Sequence, residues 1–118
     1  MKMKTLKAAV EKFCPFFKVC RENPYQPGAY WAISEEDEMY VLCCNETKLA
    51  VPYKLAYSKE SGFYGLDVNG GKTLTWSDSL IISLKDNKLV NEELQRIAKE
   101  YKKLIQTKKM IEIKSDFE

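Results

Sequence analysis

The stretch of sequence that decides the fold runs from Leu49 to Tyr57 and reads Leu-Ala-Val-Pro-Tyr-Lys-Leu-Ala-Tyr. Every second residue from Leu49 onward is aliphatic or aromatic, whereas most of the intervening positions carry small or charged side chains. This period of two places the large side chains on one face of a β-strand. Pro52 has no N–H to donate to a neighbouring strand, so it indicates an edge position or a bulge. The pattern therefore predicts a single amphipathic strand over this stretch.

Two further strands are predicted before this one. Ala29 to Ile33 and Met39 to Cys44 are rich in β-branched, aromatic and small apolar residues. The acidic run of residues 35–38 separates them, and charged residues of this kind usually occupy a solvated turn. We therefore expect an antiparallel pair joined at the acidic run.

More strands are predicted after it. Phe63 to Val68 and Thr73 to Trp76 flank Asn69-Gly70-Gly71, whose tolerance of positive φ favours a tight hairpin. Leu80 to Leu84 fits either a last strand or a short helix capped by Ser77, and we prefer the strand. The count is five or six strands, with the turn spacing of an antiparallel meander.

Helical periodicity is found towards the two ends of the chain. From Lys4 to Phe13 apolar residues recur every three or four positions, which predicts a short amphipathic helix closed by Pro15. Phe16 to Cys20 then reads as a short strand. A second helix is predicted from an N-cap at Asn91 to about Lys109. After it, the alternation of residues 110–114 predicts an added strand or a docking tail.

These patterns together predict an α+β fold. Its antiparallel sheet of five or six strands is flanked on one face by the N-terminal helix and the longer C-terminal helix. The 118 residues contain no linker or low-complexity tract, which predicts a single domain over residues 1–118. Apolar runs are much shorter than the roughly 20 residues of a membrane helix, so we expect a cytoplasmic protein with no membrane partner.

Charge is unevenly distributed along the chain. Residues 1–20 carry five Lys and one Glu, net +4, whereas residues 21–84 carry five basic and nine acidic groups, net −4. Residues 85–118 carry nine basic and seven acidic groups, net +2. The ends are therefore basic and the middle acidic, although the total of +2 is too small to indicate a partner by itself.

The composition argues against most catalytic chemistry. Histidine is absent, which removes the commonest general base and the usual nitrogen ligand of zinc. Cys14 and Cys20 are too far apart in sequence for a zinc knuckle, and the adjacent Cys43 and Cys44 point to opposite faces of a strand. We therefore predict no catalytic residues, no metal and no cofactor, and expect buried thiols.

One motif resembles the end of a phosphate-binding loop. Gly70-Gly71-Lys72-Thr73 has the right closing residues, but Leu66 stands where the first glycine of that loop should be. The residues that follow read as a strand, whereas phosphate binding needs the N-terminus of a helix. A hairpin turn is the better interpretation.

The aromatic residues of the sheet half suggest a binding surface. Tyrosine and tryptophan combine apolar area with a polar tip, and they recur at protein interfaces. We predict a protein-binding site, with an unidentified protein as partner, that comprises Tyr25, Tyr30, Trp31 and the acidic turn of Glu35, Glu36, Asp37 and Glu38. Small accessory and inhibitor proteins of bacteria and their phages are similar in type.

An alternative hypothesis is nucleic-acid or nucleotide binding. Lys99, Lys102 and Lys103 give the C-terminal helix a cationic face that could neutralise phosphates. Lysines also keep ordinary helices soluble, and the chain has only two arginines. Protein binding is therefore the leading hypothesis.

Overall fold

The computed structural model describes residues 1–22, 28–33, 40–72 and 79–116. Two helices and seven strands lie within them: α1 (Met3–Phe13), β1 (Lys18–Glu22), β2 (Gly28–Ala32), β3 (Leu42–Asn45), β4 (Lys48–Val51), β5 (Lys54–Ser58), β6 (Gly62–Leu66), β7 (Leu80–Ser83) and α2 (Asn87–Asp116). The predicted strand at 73–76 lies outside the described residues. Within them, no helix is both long enough and apolar enough to cross a bilayer.

The strands form two antiparallel sheets. The larger sheet has the order β1-β2-β3-β4-β7, and β5 pairs with β6 in a separate two-stranded sheet. The first four strands of the larger sheet follow one another in the chain, as in a meander. The predicted α+β class, with an antiparallel sheet, a short N-terminal helix and a longer C-terminal one, is confirmed.

The core lies between the larger sheet and the two helices. Leu42 and Cys44 of β3 are buried in the alternation that period-two patterning requires, whereas Leu49, Ala50 and Val51 of β4 are all buried. The helices complete the core with these side chains, each at most 2% exposed: Leu6, Val10, Val90, Leu94 and Ile97.

The alternation predicted a single strand from Leu49 to Tyr57, but the structure has two strands there, β4 and β5. The chain leaves the larger sheet after Val51 and enters the smaller one at Lys54. Pro52 ends the first ladder because it has no N–H to donate. The N–H of Tyr53 donates to the carbonyl of Leu66 at 2.9 Å, which begins the pairing with β6.

A guanidinium on α2 holds this switch between the sheets. Arg96 Nη2 donates to the carbonyl of Pro52 at 2.7 Å, and Nη1 donates to that of Tyr53 at 2.6 Å. Nε of the same residue donates to Glu93 at 2.6 Å. One helical turn further on, Glu100 accepts a hydrogen bond from the N–H of Leu55 at 3.0 Å. We call Arg96, Glu93 and Glu100 the α2 clamp.

Helix α2 is longer at both ends than predicted. It begins at Asn87 and not after Asn91, because the carboxylate of Asp86 accepts from the N–H of Leu89 at 3.1 Å and provides the cap. It continues to Asp116, so residues 110–113 are helical and form no strand. Met110 and Ile113 are three residues apart, a spacing that fits a helix as well as the alternation fits a strand. These residues extend α2.

The smaller sheet pairs β5 with β6. The sequence also predicted a hairpin between Phe63 to Val68 and Thr73 to Trp76, and its second strand lies outside the described residues. Only Lys72 forms a bridge to Leu66 on that side within the described residues. The turn itself is present: Asp67 accepts from the N–H groups of Asn69 and Gly71 at 2.8 and 3.0 Å. Gly70 has φ +85°, a conformation that disfavours other residues.

Replacing Arg96 by methionine should lower the free energy of unfolding by about 2 kcal/mol, because the carbonyls of Pro52 and Tyr53 and the carboxylate of Glu93 lose a charged donor. Methionine keeps the unbranched apolar stem of the side chain and removes the guanidinium. Lys88→Met is the matched control, since Lys88 is 87% exposed and 4.0 Å from Glu92, and should cost less than about 0.5 kcal/mol. Urea unfolding followed by circular dichroism measures both. Equal effects would show that the α2 clamp contributes no more than an exposed ion pair.

Candidate functional site

A groove lies at one edge of the larger sheet, between α1 and strand β1. Strand β1 is the terminal strand, and no described strand pairs with its outer edge. The groove has a volume of about 400 Å³, within the range of ligand pockets. We call it the edge groove, and its lining residues are Lys7, Val10, Glu11, Pro15, Phe17, Val19 and Trp31.

The edge groove has an apolar floor and charged sides. Its floor includes Trp31, which is 2% exposed, and Phe17, which is 8% exposed. Val19 stands at the strand side with 47% of its surface exposed. Lys7 and Glu11 lie one helical turn apart on α1. The groove can therefore bury an apolar group, and charged side chains lie at its sides.

Local chain geometry places α1 beside β1. The connector between them is only four residues long, 14–17, and Pro15 prevents the helix from continuing. Phe17 N–H donates to the carbonyl of Cys14 at 3.0 Å, which turns the chain back. The thiol of Cys14 donates to the carbonyl of Leu94 at 3.1 Å and ties this corner to α2. The ring of Phe16 stacks on Tyr101 with centroids 3.7 Å apart, and helps fix the same corner.

The pairing of β1 with β2 contains an irregularity that shortens the regular part of β1. Lys18 and Val19 pair with Ala32 and Trp31, but the register shifts before Arg21. Bulges on edge strands interrupt the ladder and discourage indiscriminate pairing. An incoming strand therefore meets only a short regular edge at Lys18 and Val19.

A second apolar feature crosses the opposite face of the larger sheet. Tyr30, Cys43, Ala50 and Ile81 are direct cross-strand partners on β2, β3, β4 and β7. The Tyr40 ring lies 4.9 Å from that of Tyr30 and is 41% exposed. This outer row contains Tyr30, one of the predicted site residues.

The structure separates the residues that the sequence suggested for one binding site. Tyr30 belongs to the outer row, whereas its neighbour Trp31 faces the other way and forms the floor of the edge groove. Trp31 is a core residue with 2% of its surface exposed, and its part in binding stays a prediction. Tyr25 and the acidic turn, Glu35, Glu36, Asp37 and Glu38, lie outside the described residues.

The three lysines of the alternative hypothesis are on the surface. Lys99, Lys102 and Lys103 are all exposed on α2. Exposure is expected both for a phosphate-binding face and for an ordinary solvated helix. Their position therefore favours neither interpretation.

Sequence reasoning missed the edge groove, although it predicted both elements that form it. Periodicity identified α1 and a strand near Phe16 to Cys20 without showing that they lie side by side. The available signal was the four-residue connector with a proline, which forces neighbouring elements to pack closely. Val19 and Pro15 line a groove only because α1 and β1 pack side by side.

The thiols of Cys14 and Cys43 are poor nucleophiles at neutral pH. Burial raises the pKa of Cys14 to about 12. Burial first, and the neighbouring Cys44 second, raise the pKa of Cys43 to about 11. Cys44 is buried on the inner face, whereas Cys43 belongs to the outer row, as adjacent strand residues should. Neither Cys14 nor Cys43 forms a disulfide.

No protein-family model, curated protein or solved structure matches this chain. Functional inference therefore depends on the site geometry.

Alkylation at pH 8 should leave Cys14 unmodified in the native protein, because only the thiolate reacts and its native pKa is about 12. The same residue should react readily in 8 M urea. Since the thiol ionises near 9.0 when unfolded and near 12 when folded, its contribution to stability is full below pH 9 and falls as the pH rises towards 12. Mass spectrometry of alkylated peptides measures the reaction. Rapid native modification at pH 8 would contradict the buried position.

Proposed function

We propose that this chain is a non-enzymatic, cytoplasmic protein-binding domain whose edge groove accepts an extended segment of another protein. The observation that carries the proposal is the groove of about 400 Å³ beside the outer edge of β1, with which no described strand pairs. Domains that recognise extended peptides commonly combine a sheet edge with a pocket for alternate side chains. Both parts are present here, next to each other.

The sheet edge supplies main-chain recognition. A terminal strand presents N–H and C=O groups to a strand that adds to it. The bulge after Val19 restricts this pairing to a short stretch. Main-chain pairing of this length gives little affinity by itself, so most of the binding free energy must come from a side chain.

The groove supplies side-chain recognition. Val19 and Trp31 are cross-strand partners on the face that packs towards α1. A residue of the incoming strand that pairs opposite Val19 points to the same face, because side chains alternate along a strand. It therefore enters the edge groove and contacts Phe17 and Pro15. An apolar anchor is favoured, since the floor is apolar.

The biological role that we propose is that of an accessory or inhibitor protein, which acts by occupying a surface of its partner. A domain of 118 residues with a short strand edge beside a groove is suited to holding a single segment. The charged side chains at the groove, Lys7 and Glu11, are suited to orienting such a segment.

The test is selection from a displayed library of random twelve-residue peptides, with the purified chain as bait. Peptides with a shared apolar position should be selected, and Val19→Lys should reduce their affinity at least tenfold, because a lysine at this edge blocks the pairing and the anchor. Val19 is 47% exposed, so the substitution should leave the fold intact.

Ile81→Lys is the matched control. Ile81 is a β-branched residue on β7, the opposite terminal strand, and is 44% exposed. It should leave peptide affinity unchanged, as measured by fluorescence polarisation. Either of two results would refute the edge groove as the binding site. Val19→Lys could leave peptide binding unchanged, or Val19→Lys and Ile81→Lys could weaken it equally.

A further inference from the structure

Strand β7 is the other terminal strand of the larger sheet, and no described strand pairs with its outer edge. We propose that two copies of this chain associate through this edge, with β7 of one copy antiparallel to β7 of the other. Ile81 lies at the centre of the pairing, opposite the Ile81 of the second copy. The proposal is independent of the edge groove, which lies at the opposite end of the sheet.

The other described strand edges carry features that limit pairing. The register of β1 shifts after Val19. In β5, the N–H of Leu55 donates to the carboxylate of Glu100 on α2 at 3.0 Å. On β6, Lys72 forms an isolated bridge to Leu66. Bulges and coverage by a helix or a loop are the usual protection of a strand edge against a further strand.

Within the described residues, β7 has none of these features. Its sequence is Leu-Ile-Ile-Ser, with no charged residue, proline or glycine. Its register with β4 is regular over all four residues, from Leu80 opposite Val51 to Ser83 opposite Lys48. A regular, uncharged and mostly apolar edge of this kind is suited to adding another strand.

The main chain of Ile81 is directed towards the outer edge. The N–H of Leu84 donates to the carbonyl of Thr47 at 2.9 Å, in continuation of the register between β4 and β7. Main-chain groups alternate in direction along an antiparallel strand, so those of Ile82 point to β4 and those of Ile81 point away from it. Among the described residues, no hydrogen bond outside the strand pairs uses the N–H or C=O of Ile81. The Ile81 of a second copy can therefore exchange two hydrogen bonds with it.

The sequence of β7 is complementary to itself in this register. An antiparallel pair of identical strands is symmetric about its middle residue, as a two-fold dimer requires. With Ile81 opposite Ile81, Leu80 of each copy lies opposite Ile82 of the other, on the inner face. The two Ile81 side chains, each 44% exposed, cover one another on the outer face. Because β7 carries no charge, no like charges are brought together. A second copy of the chain is therefore the partner that fits this edge.

Self-pairing leaves the edge groove accessible. The two five-stranded sheets join into one sheet of ten described strands, with the two β1 strands at its ends. The dimer thus presents two edge grooves, and a partner that carries two recognised segments binds more tightly than a partner with one. This consequence alone depends on the function proposed above.

The test is the dependence of mass on concentration. A strand pair of four residues buries little surface, so the dimer should be weak. Sedimentation equilibrium between about 10 μM and 1 mM should show the mean mass rising towards twice that of the monomer. Ile81→Lys should weaken association roughly tenfold, because an apolar pair is lost and two ammonium groups lie opposite each other.

Val68→Lys is the matched control. Val68 is also β-branched, is 62% exposed and lies after the end of β6, away from β7. Its replacement adds the same charge as Ile81→Lys and should leave association unchanged. Circular dichroism of both variants shows whether the fold is retained.

A mixture of two variants tests the register. Ile81→Glu should also be monomeric by itself, because two carboxylates then lie opposite each other. An equimolar mixture of Ile81→Lys and Ile81→Glu should associate, since opposite charges then face each other across the strand pair. Only the register with Ile81 opposite Ile81 brings the two substituted positions directly together.

Each alternative outcome contradicts a stated part of the proposal. A wild-type chain that stays monomeric at 1 mM would overturn self-pairing and leave the β7 edge to a strand of another protein. Association that Ile81→Lys and Val68→Lys weaken equally, or that neither weakens, would overturn β7 as the interface. Two folded variants that remain monomeric when mixed would overturn the register at Ile81.

Discussion

The rest of the structure depends on how the chain is held where it leaves one sheet for the other. Pro52 cannot continue the ladder of β4, and the carbonyls of Pro52 and Tyr53 then need donors from elsewhere. Arg96 supplies both from α2, and its planar guanidinium suits two acceptors that lie side by side. Glu93 accepts a hydrogen bond from Nε of Arg96 at 2.6 Å, so the positive charge of the guanidinium is paired with a carboxylate. The α2 clamp therefore fixes the helix against both sheets at one point.

The position of α2 in turn determines the edge groove. Once the helix is fixed, Leu94 accepts from the thiol of Cys14, and Tyr101 stacks on Phe16. These contacts hold the corner between α1 and β1, and so set the separation of the groove's two sides. The thiol of Cys14 contributes as a buried donor with no chemistry of its own, because its pKa of about 12 keeps it protonated. The shape of the edge groove thus depends on contacts between the connector and α2.

The aromatic residues that suggest a large contact surface in the sequence are partly used inside the fold. Phe16 stacks on Tyr101, Tyr101 contacts Phe63, and Phe63 contacts Tyr57, forming a continuous line of rings along α2. Lys108 adds its ammonium group over the last two rings at 5.6 and 5.7 Å. This line joins the small sheet to the long helix. Tyr57 and Phe63 are therefore engaged within the fold by these ring contacts.

The sequence by itself determined the secondary-structure types and the fold class, because hydrophobic period is a local property. Period two in Leu49 to Val51 and period 3.6 in Leu94 to Tyr101 survive in the structure as β4 and α2. Tertiary structure alone decided the split of the central strand, the full length of α2 and the edge groove. Each depends on partners distant in sequence: Arg96 and Pro52 are 44 residues apart, and Cys14 and Leu94 are 80 apart. Local patterns carry no record of such pairings. The opposite orientations of Tyr30 and Trp31, by contrast, follow from alternation along β2, although the predicted site grouped the two residues.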